Sequence, residues 1–458
     1  MVLNIHTVGG FDESGKNMTV VDMGDDAVMI DSGFYMPAIV EMQEQERVGN
    51  QPKGRQQAYS EKQLRNRGAI ADDTTLDKLG LRHKVRAILL GHAHLDHIGA
   101  LPYMAHRYDA PIAGTPFTIE VLRRILEDEQ IVIPNKLHSI KPNATFIIKG
   151  KKRDYKAEFI NITHSTIQTT MIALHTPDGI VLYANDFKLD DNPILGQPPN
   201  YYALRKIAKE GIKCLIVDSL YSSAERKTPS EKIARAMLEE VLLTIQNRHA
   251  AIFVPTFSSH IARLKSVVDF AKKLNRQPFF IGRSLNKYVT AAANVGMCPF
   301  RNDIRIGSYK RQVESMLKQV AKNRENTMVI CTGHQGEPGS ILERISRKQL
   351  PFSFKPNDNI VFSSKTIPVA ANIENKSKMD KRLKKSGVRI FDEVHVSGHP
   401  GREDLRDLLG ILNPENIIPS HGSTEQLLPM IELASEMGYK KGKESHLMHD
   451  KGKLALKK

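Results

Sequence analysis

The stretch Gly91-His92-Ala93-His94-Leu95-Asp96-His97-Ile98-Gly99 constrains this chain more than any other. Three imidazoles and one carboxylate fall between His92 and His97. They follow Val85-Arg86-Ala87-Ile88-Leu89-Leu90, an apolar run rich in strand formers, and precede Leu101-Pro102-Tyr103-Met104-Ala105-His106, which reads as the start of a helix. The cluster therefore sits where a buried strand ends and a loop turns toward a helix. Polar groups at the mouth of an apolar strand are costly unless they are paired. Imidazole nitrogen and carboxylate oxygen suit zinc or a similar borderline cation. Spread over one loop, these side chains point in different directions and can serve two metals rather than one. The stretch is read as a metal site.

At 458 residues the chain is too long for one small core, so two domains are expected. No apolar run is long enough to cross a bilayer. The N-terminus opens on strand-like Val2-Leu3-Asn4-Ile5-His6 rather than on a charged-then-apolar leader. Cys214, Cys298 and Cys331 are few, odd in number and widely spaced, which suits a reducing compartment rather than a disulfide framework. A soluble cytoplasmic protein is expected. The formal net charge is +15, from 66 Lys and Arg against 51 Asp and Glu. Such an excess favours polyanionic partners, chiefly nucleic acid. Basic clusters occur at Lys149-Gly150-Lys151-Lys152-Arg153, from Lys376 to Lys385 and from Lys440 to Lys458. Each alone reads as solvated surface. Beside a metal site, they favour a phosphate-bearing substrate.

Along the chain, Met18-Thr19-Val20-Val21 and Ala27-Val28-Met29-Ile30 read as strands, the first preceded by a turn-rich segment from Gly9 to Asn17. They predict an antiparallel opening to a sheet. Residues 41–84 are charged and glutamine-rich with little periodicity, and read as a long, partly helical surface insertion. A helix is expected near 115–127. Phe159-Ile160-Asn161-Ile162 then leads to His164, and Ile180-Val181-Leu182-Tyr183 leads to Asp186. Each places one metal-capable side chain beyond an apolar strand, where ligand crevices of α/β sheets lie. His175, between them, reads as a core residue or a partner behind the ligands.

From about residue 210 the pattern changes. Cys214-Leu215-Ile216-Val217, Ala251-Ile252-Phe253-Val254, Phe279-Phe280-Ile281 and Met328-Val329-Ile330 are short buried-type strands separated by helix-length segments. Alternation of this kind predicts a doubly wound parallel sheet, a second domain running to about Ser364. Its first helix is expected to start with Thr228 as N-cap, Pro229 at the first position and Glu231 three residues past the cap, with Ile233, Ala236, Met237 and Val241 on its apolar face. Strand-end histidines return in Val394-His395-Val396-Ser397-Gly398-His399 and Ile417-Ile418-Pro419-Ser420-His421. They can join the first site if the second domain is an insertion.

His-x-His-x-Asp-His resembles the signature of the metallo-β-lactamase superfamily. The chain further resembles its β-CASP members and, among them, the ribonuclease J family of the archaeal type. The resemblance spans nearly the whole chain. It rests on Gly15-Lys16-Asn17-Met18, His92 to His97, His164-Ser165, Asp186-Phe187-Lys188, Asp218-Ser219, Thr332-Gly333-His334-Gln335-Gly336-Glu337-Pro338, His395 to His399 and Pro419-Ser420-His421-Gly422, in the family's order. It implies an αββα metallo-β-lactamase domain formed by residues 1–209 and 365–458, interrupted by an inserted β-CASP domain at 210–364. It also implies two zinc ions, with manganese as an alternative in use. His92, His94, His164 and Asp186 would hold one, and Asp96, His97, Asp186 and His421 the other, with Asp186 bridging. Asp218, His399 and His421 match the first, second and third β-CASP motifs. A histidine at the third motif goes with RNA-processing members.

The resemblance implies a 5′→3′ exoribonuclease acting on single-stranded RNA, with single-stranded DNA a weaker partner. It would prefer 5′-monophosphate ends and release nucleoside 5′-monophosphates. Asp96 would take or orient the proton of the attacking water. His399, paired with Asp218, would hold the phosphate and protonate the departing 3′ oxygen. His395, Ser397, Gly398 and Ser258, with a helix N-terminus after the last, are candidates for the 5′-phosphate pocket, and Gly336 to Ser340 is another. A homodimer is expected, although no separate C-terminal domain is expected after the last histidine motif, where bacterial members carry one. No N-terminal KH-type region is expected either, which argues against the archaeal cleavage-factor relatives. The alternative activity is an endoribonuclease of that cleavage-factor type, separable by product length. A DNA-repair nuclease would be separated by substrate competition. A non-catalytic RNA-binding subunit disagrees with the presence of every implied ligand.

Overall fold

A computed structural model describes residues 2–48, 59–245, 248–367 and 370–456. Its strands, in chain order, are β1 Leu3–Gly9, β2 Met18–Asp22, β3 Ala27–Ile30, β4 Val85–Leu89, β5 Ile112–Gly114, β6 Leu137–Ser139, β7 Thr145–Lys149, β8 Asp154–Asn161, β9 Thr170–Thr176 and β10 Gly179–Ala184. Then follow β11 Ile212–Asp218, β12 Ile252–Pro255, β13 Gln277–Ile281, β14 Arg305–Gly307, β15 Thr327–Cys331, β16 Asn359–Val361, β17 Arg389–Phe391, β18 Ile417–Ser420 and β19 Gly452–Leu456.

The chain divides into two compact units. The first comprises residues 1–191, 197–228 and 398–458, and the second 192–196 and 229–397. The first holds a seven-stranded sheet, ordered β19-β1-β2-β3-β4-β5-β6, and a six-stranded sheet, ordered β18-β11-β10-β9-β8-β7. Ile5, Val28, Ala87 and Leu89 from one sheet share a buried core with Phe159, Leu174, Val181 and Ile216 from the other. On the opposite face of the second sheet, Leu182, Leu215 and Ile417 pack with Leu204 and Ile207 of helix Tyr201–Glu210, Leu408 of helix Arg402–Leu412 and Met430 of helix Thr424–Glu436. β11 is buried at every position because both of its faces are covered, so its stretch Cys214 to Val217 is a continuous apolar run rather than an alternating one. This unit is the expected αββα sandwich, and β2 and β3 pair antiparallel as expected.

The second unit is a doubly wound sheet, β14-β13-β15-β12-β16-β17, with every pair parallel. Phe253, Ile281 and Val329 of its strands share a core with Leu317 and Leu342 from its helices.

The expected boundaries at 209/210 and 364/365 are corrected. β11, read as the first strand of the inserted sheet, lies in the first unit, parallel to both β10 and β18. The units instead divide at 228/229 and 397/398. An apolar strand followed by a helix carries no mark of which sheet claims it. The first helix of the second unit also starts later than expected. Ser230 is its N-cap, its hydroxyl accepting from Lys232 N–H at 3.1 Å, while Thr228 donates its hydroxyl proton to the His399 carbonyl at 2.7 Å. Its buried face is Ala234, Leu238 and Leu242, whereas Ile233 and Met237 are exposed. The 41–84 stretch is helical over Met36–Val48, Glu61–Asn66 and Thr74–Lys78, with 49–58 outside the described residues. No helix of the described residues is long and apolar enough to cross a membrane.

A candidate metal centre

The first unit gathers its chemistry at the carboxyl ends of its strands. After β4, Gly91 is anchored by its N–H to Asp31 Oδ1 at 3.0 Å and by its carbonyl to Thr170 N–H at 3.0 Å. His92 and His94 follow, and Asp96 and His97 sit on the single-turn helix Leu95–Ile98. His164 follows β8, Asp186 follows β10, and His421 directly follows β18. Asp218 is the last residue of β11. Ligands 329 positions apart, counting from His92 to His421, therefore meet because parallel strands end at the same edge.

Three donor groups among the described residues share Asp186, the third being Asp186, Asp218 and His399. In the first, His92 Nε2 and His164 Nε2 lie 3.1 and 3.2 Å from His94 Nδ1, and 3.6 and 3.8 Å from Asp186 Oδ2. In the second, His97 Nε2 lies 3.6 Å from Asp96 Oδ2 and 3.4 Å from Asp186 Oδ2. His421 Nε2 is 3.8 Å from Asp96 Oδ2, and its Nδ1 is 3.6 Å from Asp186 Oδ1. Tetrahedral coordination with bonds of ~2.1 Å needs donors ~3.4 Å apart, which these spacings match. Among the described residues, the buried atoms His92 Nδ1 and Asp186 Oδ1 have no hydrogen-bond partner. A cluster this rich in buried acceptors fits cations.

The electrostatics agree. Burial first, then the neighbouring imidazoles, hold His92, His164 and His421 well below the usual histidine range. They stay neutral, as metal ligands must. Burial also pushes His97 down, but Asp186, Asp96 and Asp31 together outweigh it and hold this ring well above its usual range. A bound cation would therefore displace its proton. Burial pushes the Asp186 carboxyl up to about 6, against the pull of His97 and His399.

Two ligand orientations are set from behind. His164 donates Nδ1–H to the Gly398 carbonyl at 2.7 Å, leaving Nε2 for a cation. His97 donates Nδ1–H to Asp31 Oδ2 at 2.7 Å. Asp31 and His421 hold left-handed backbone, with φ of 61° and 67°. That conformation costs roughly 1–2 kcal/mol at a non-glycine residue, strain that the surrounding hydrogen bonds sustain.

Beside the shared carboxylate stands a dyad. His399 donates Nδ1–H to Asp218 Oδ2 at 2.8 Å, and the same nitrogen lies 3.9 Å from Asp186 Oδ2. Burial works to lower the basicity of this imidazole, yet Asp218 and Asp186 overcome it and lift the ring to about 9. These two carboxylates favour the protonated form of the ring, which donates Nδ1–H to Asp218.

All the metal-ligand candidates, with Asp218 and His399, come together in one unit. The remaining candidates are divided between the two units. Gly398 belongs to this unit with its carbonyl engaged by His164, whereas His395, Ser397 and Ser258 belong to the second unit. There His395 Nδ1 lies 3.3 Å from the buried Arg263 guanidinium, and Phe257, next to Ser258, packs its ring 4.2 Å from that of His334. Residues 394–399 form no strand, so His395 and His399 are not strand-end residues as expected. His175 lies on β9, 2.8 Å from Glu158 Oε1 across the sheet, and takes no part in any of these donor groups. Sequence reasoning missed Asp31. Its signal was available, since it too follows an apolar strand, β3, at the carboxyl end.

Comparison with known proteins accords with this geometry. Residues 12–190 match the metallo-β-lactamase superfamily, 249–380 the ribonuclease J β-CASP domain, and 388–446 the Zn-dependent metallo-hydrolase RNA specificity domain. Ribonuclease J of Methanocaldococcus jannaschii is 39% identical over 452 residues, covering 98% of both chains. That of Pyrococcus abyssi is 39% identical over 97% of this chain and 95% of its own. Helicobacter pylori ribonuclease J (strain B128) is 27% identical over 98% of this chain and 60% of its own. A crystal structure of a protein of unknown function from Enterococcus faecalis V583 shares the fold, with a TM-score of 0.66 over 100% of both chains at 15% identity. With its metallo-β-lactamase domain, its β-CASP insertion and its gathered His/Asp groups, the chain belongs to the ribonuclease J family of metal-dependent ribonucleases.

Proposed function

We propose that the chain is a zinc-dependent 5′→3′ exoribonuclease of single-stranded RNA that prefers 5′-monophosphate ends and releases nucleoside 5′-monophosphates. The observation that carries this reading is the shared Asp186, with a donor group on either side and the His399–Asp218 dyad beside it. His92, His94, His164 and Asp186 would hold one zinc, and Asp96, His97, Asp186 and His421 the other. When bound, such a pair supplies positive charge for the phosphoryl oxygens and lowers the pKa of a shared water toward roughly 7. The remaining work falls to the chain. Asp96, its carboxylate partly open to solvent, orients the attacking water and accepts its proton. Asp218 fixes the His399 ring, whose Nε2–H holds the phosphate and passes a proton to the departing 3′ oxygen. The reading includes a homodimer acting in the cytoplasm, with single-stranded DNA a weak competitor for RNA.

Cleavage of one RNA carrying a 5′-monophosphate, triphosphate or hydroxyl, labelled at both ends, tests the activity. Rapid release of mononucleotides from the monophosphate form alone is expected. Internal fragments whatever the 5′ group would instead identify an endoribonuclease of the cleavage-factor type.

The roles separate by mutation. His399→Ala is expected to slow cleavage by roughly 10²- to 10⁴-fold at unchanged metal content, whereas His94→Ala loses both metal and rate. Metal analysis beside the rates decides this, and loss of metal from the His399 variant would count against it. The dyad also predicts a pH dependence. His399 donates only while protonated, so the rate falls as pH rises through its pKa. Asp218→Asn removes the first carboxylate that raises this pKa, so the alkaline limb moves toward lower pH. A kcat profile from about pH 6 to about pH 10 checks it, and an unmoved limb would assign the ionisation to another group.

A further inference from the structure

Helix Tyr201–Glu210 carries a stripe that its packing does not explain. Its buried side chains are Leu204 and Ile207, which face the second sheet. At about 100° per residue, the opposite side presents Tyr202, Arg205, Lys206 and Lys209, all exposed. Tyr202 is 80% exposed and falls within the arc that the three cations span. A ring left in water adds nothing to the core, and tyrosine is an indifferent helix former, so neither packing nor propensity accounts for it. An exposed ring alone argues for nothing, but this one stands among charges that the fold leaves unused. Arg205 and Lys209 form no ion pair among the described residues, and the Arg205 guanidinium lies 5.8 Å from the centre of the Tyr201 ring. Lys206 is 4.0 Å from Glu210, whose carboxylate also faces His175 at 3.6 Å. Asp407, on the neighbouring helix Arg402–Leu412, is paired with Lys227. The stripe therefore keeps a positive field.

Topology fixes where the stripe begins. β10 and β11 are parallel neighbours, so the helix that joins them runs antiparallel to both and starts at their carboxyl edge. Asn200, its N-cap, donates its backbone N–H to the Asn161 carbonyl at 3.0 Å. Asn161 Nδ2 donates in return to the Pro198 carbonyl at 2.9 Å. Asn161 ends β8, three residues before His164. Tyr202 therefore opens the stripe at the edge where the donor groups gather, and Lys209 closes it about 10 Å further along the helix.

A polyanion with flat apolar faces matches this surface, because phosphates engage the cations and an unstacked base engages the ring. A duplex keeps its bases stacked inside, and an acidic protein segment would use the cations while leaving the ring idle. We propose that the face formed by Tyr202, Arg205, Lys206 and Lys209 binds single-stranded RNA several nucleotides from the bond being cleaved, as a track for the uncut part of the substrate. The inference rests on the ribonuclease reading of the site, and not on the direction of attack.

The test is steady-state cleavage of two unstructured RNAs, of about 4 and about 20 nucleotides, by the full chain. Wild type is compared with Tyr202→Ala, Tyr202→Phe and the triple variant Arg205→Ala/Lys206→Ala/Lys209→Ala. Tyr202→Ala is expected to raise KM for the long RNA by roughly 5- to 100-fold, the range of one lost base stack, with kcat and the short RNA unaffected. Tyr202→Phe keeps the ring and should match wild type. The triple variant should bind a non-hydrolysable long RNA with a slope of log affinity against log salt that is shallower by roughly 2. Lys440→Ala/Lys441→Ala/Lys443→Ala removes the same charge from another exposed part of this unit and should leave the long-RNA KM unchanged. All of these side chains are exposed, so melting temperatures should stay at the wild-type value.

An unchanged long-RNA KM in Tyr202→Ala would overturn the proposal. So would an equal change on both RNAs, or the same loss from the lysine control. Weaker binding by the triple variant beside an unaffected Tyr202→Ala would overturn it too, and would point to charge steering or an acidic protein partner. A wild-type chain that cleaves neither RNA would overturn the ribonuclease reading, and this proposal with it, before any variant is compared.

Discussion

Asp186→Asn is expected to abolish RNA cleavage, by more than roughly 10³-fold, while leaving the metal-free chain as stable as the wild type. Asp186 is the one residue common to every donor group of the site, and it also lies 3.9 Å from His399 Nδ1. The amide keeps the shape of the side chain but removes the charge that two cations would share. The sign of the stability effect follows from the pKa. Burial lifts the Asp186 carboxyl from its usual 3.8 to about 6, so the folded chain favours the protonated form. Such a group contributes stability at low pH that is lost as pH rises from about 4 through about 6. At neutral pH an uncharged amide avoids that loss. Metal content, cleavage rate and melting temperature in EDTA, measured on one preparation, test it. Retention of two equivalents of zinc with near-normal rate would remove Asp186 from the centre of the mechanism.

Gly33→Ala is expected to break the second donor group and to lower the melting temperature. A Cβ on Gly33 would lie 1.6 Å from the Asp96 carbonyl oxygen, 1.9 Å from the Asp96 carbonyl carbon and 2.6 Å from His97 N. These are backbone atoms and cannot swing aside. The segments are also pinned on both sides, by Ser32 N–H donating to the His97 carbonyl at 2.7 Å and Phe34 N–H to that of Leu95 at 2.9 Å. Relief requires pulling the strand-end loop from the Asp96–His97 turn, which carries two ligands away from Asp186. Ordinary overpacking costs about 1–3 kcal/mol, and this overlap belongs at or beyond the upper end. Gly410→Ala is the control. It lies exposed inside helix Arg402–Leu412 with nothing within 4 Å of its Cβ position, and alanine there is expected to be neutral or stabilising by about 1 kcal/mol. Calorimetric melting with metal analysis of both variants decides it. A Gly33→Ala protein with wild-type melting temperature and zinc content would contradict the close approach on which the site is built.

Local chemistry made part of this protein legible from residues alone. Runs such as Val85 to Leu90 and Ile180 to Tyr183 announce buried strands, and the side chains just past them, His92 to His97 and Asp186, announce ligands. Ligand type is a property of each residue, and strand-end placement is a property of a few neighbours. The alternation of strand and helix after residue 250 likewise predicts the parallel sheet that the second unit forms. Asp31 obeyed the same rule and went unread because it lies well before the histidine loop.

Only the tertiary structure decided which groups meet and which sheet owns which strand. Cys214 to Val217 has the same apolar character as Ile252 to Val254, yet the first pairs with β10 and β18 and the second with β15 and β16. Partner choice depends on packing and on chain closure over hundreds of residues, and neither leaves a trace in local periodicity. The bond from His399 to Asp218 spans 181 positions, and that from Asn17 to His421 spans 404. The sequence by itself determined that strands end in metal-binding side chains. The tertiary structure decided that those ends converge on Asp186, because sheets whose strands share one carboxyl edge bring distant loops to one place.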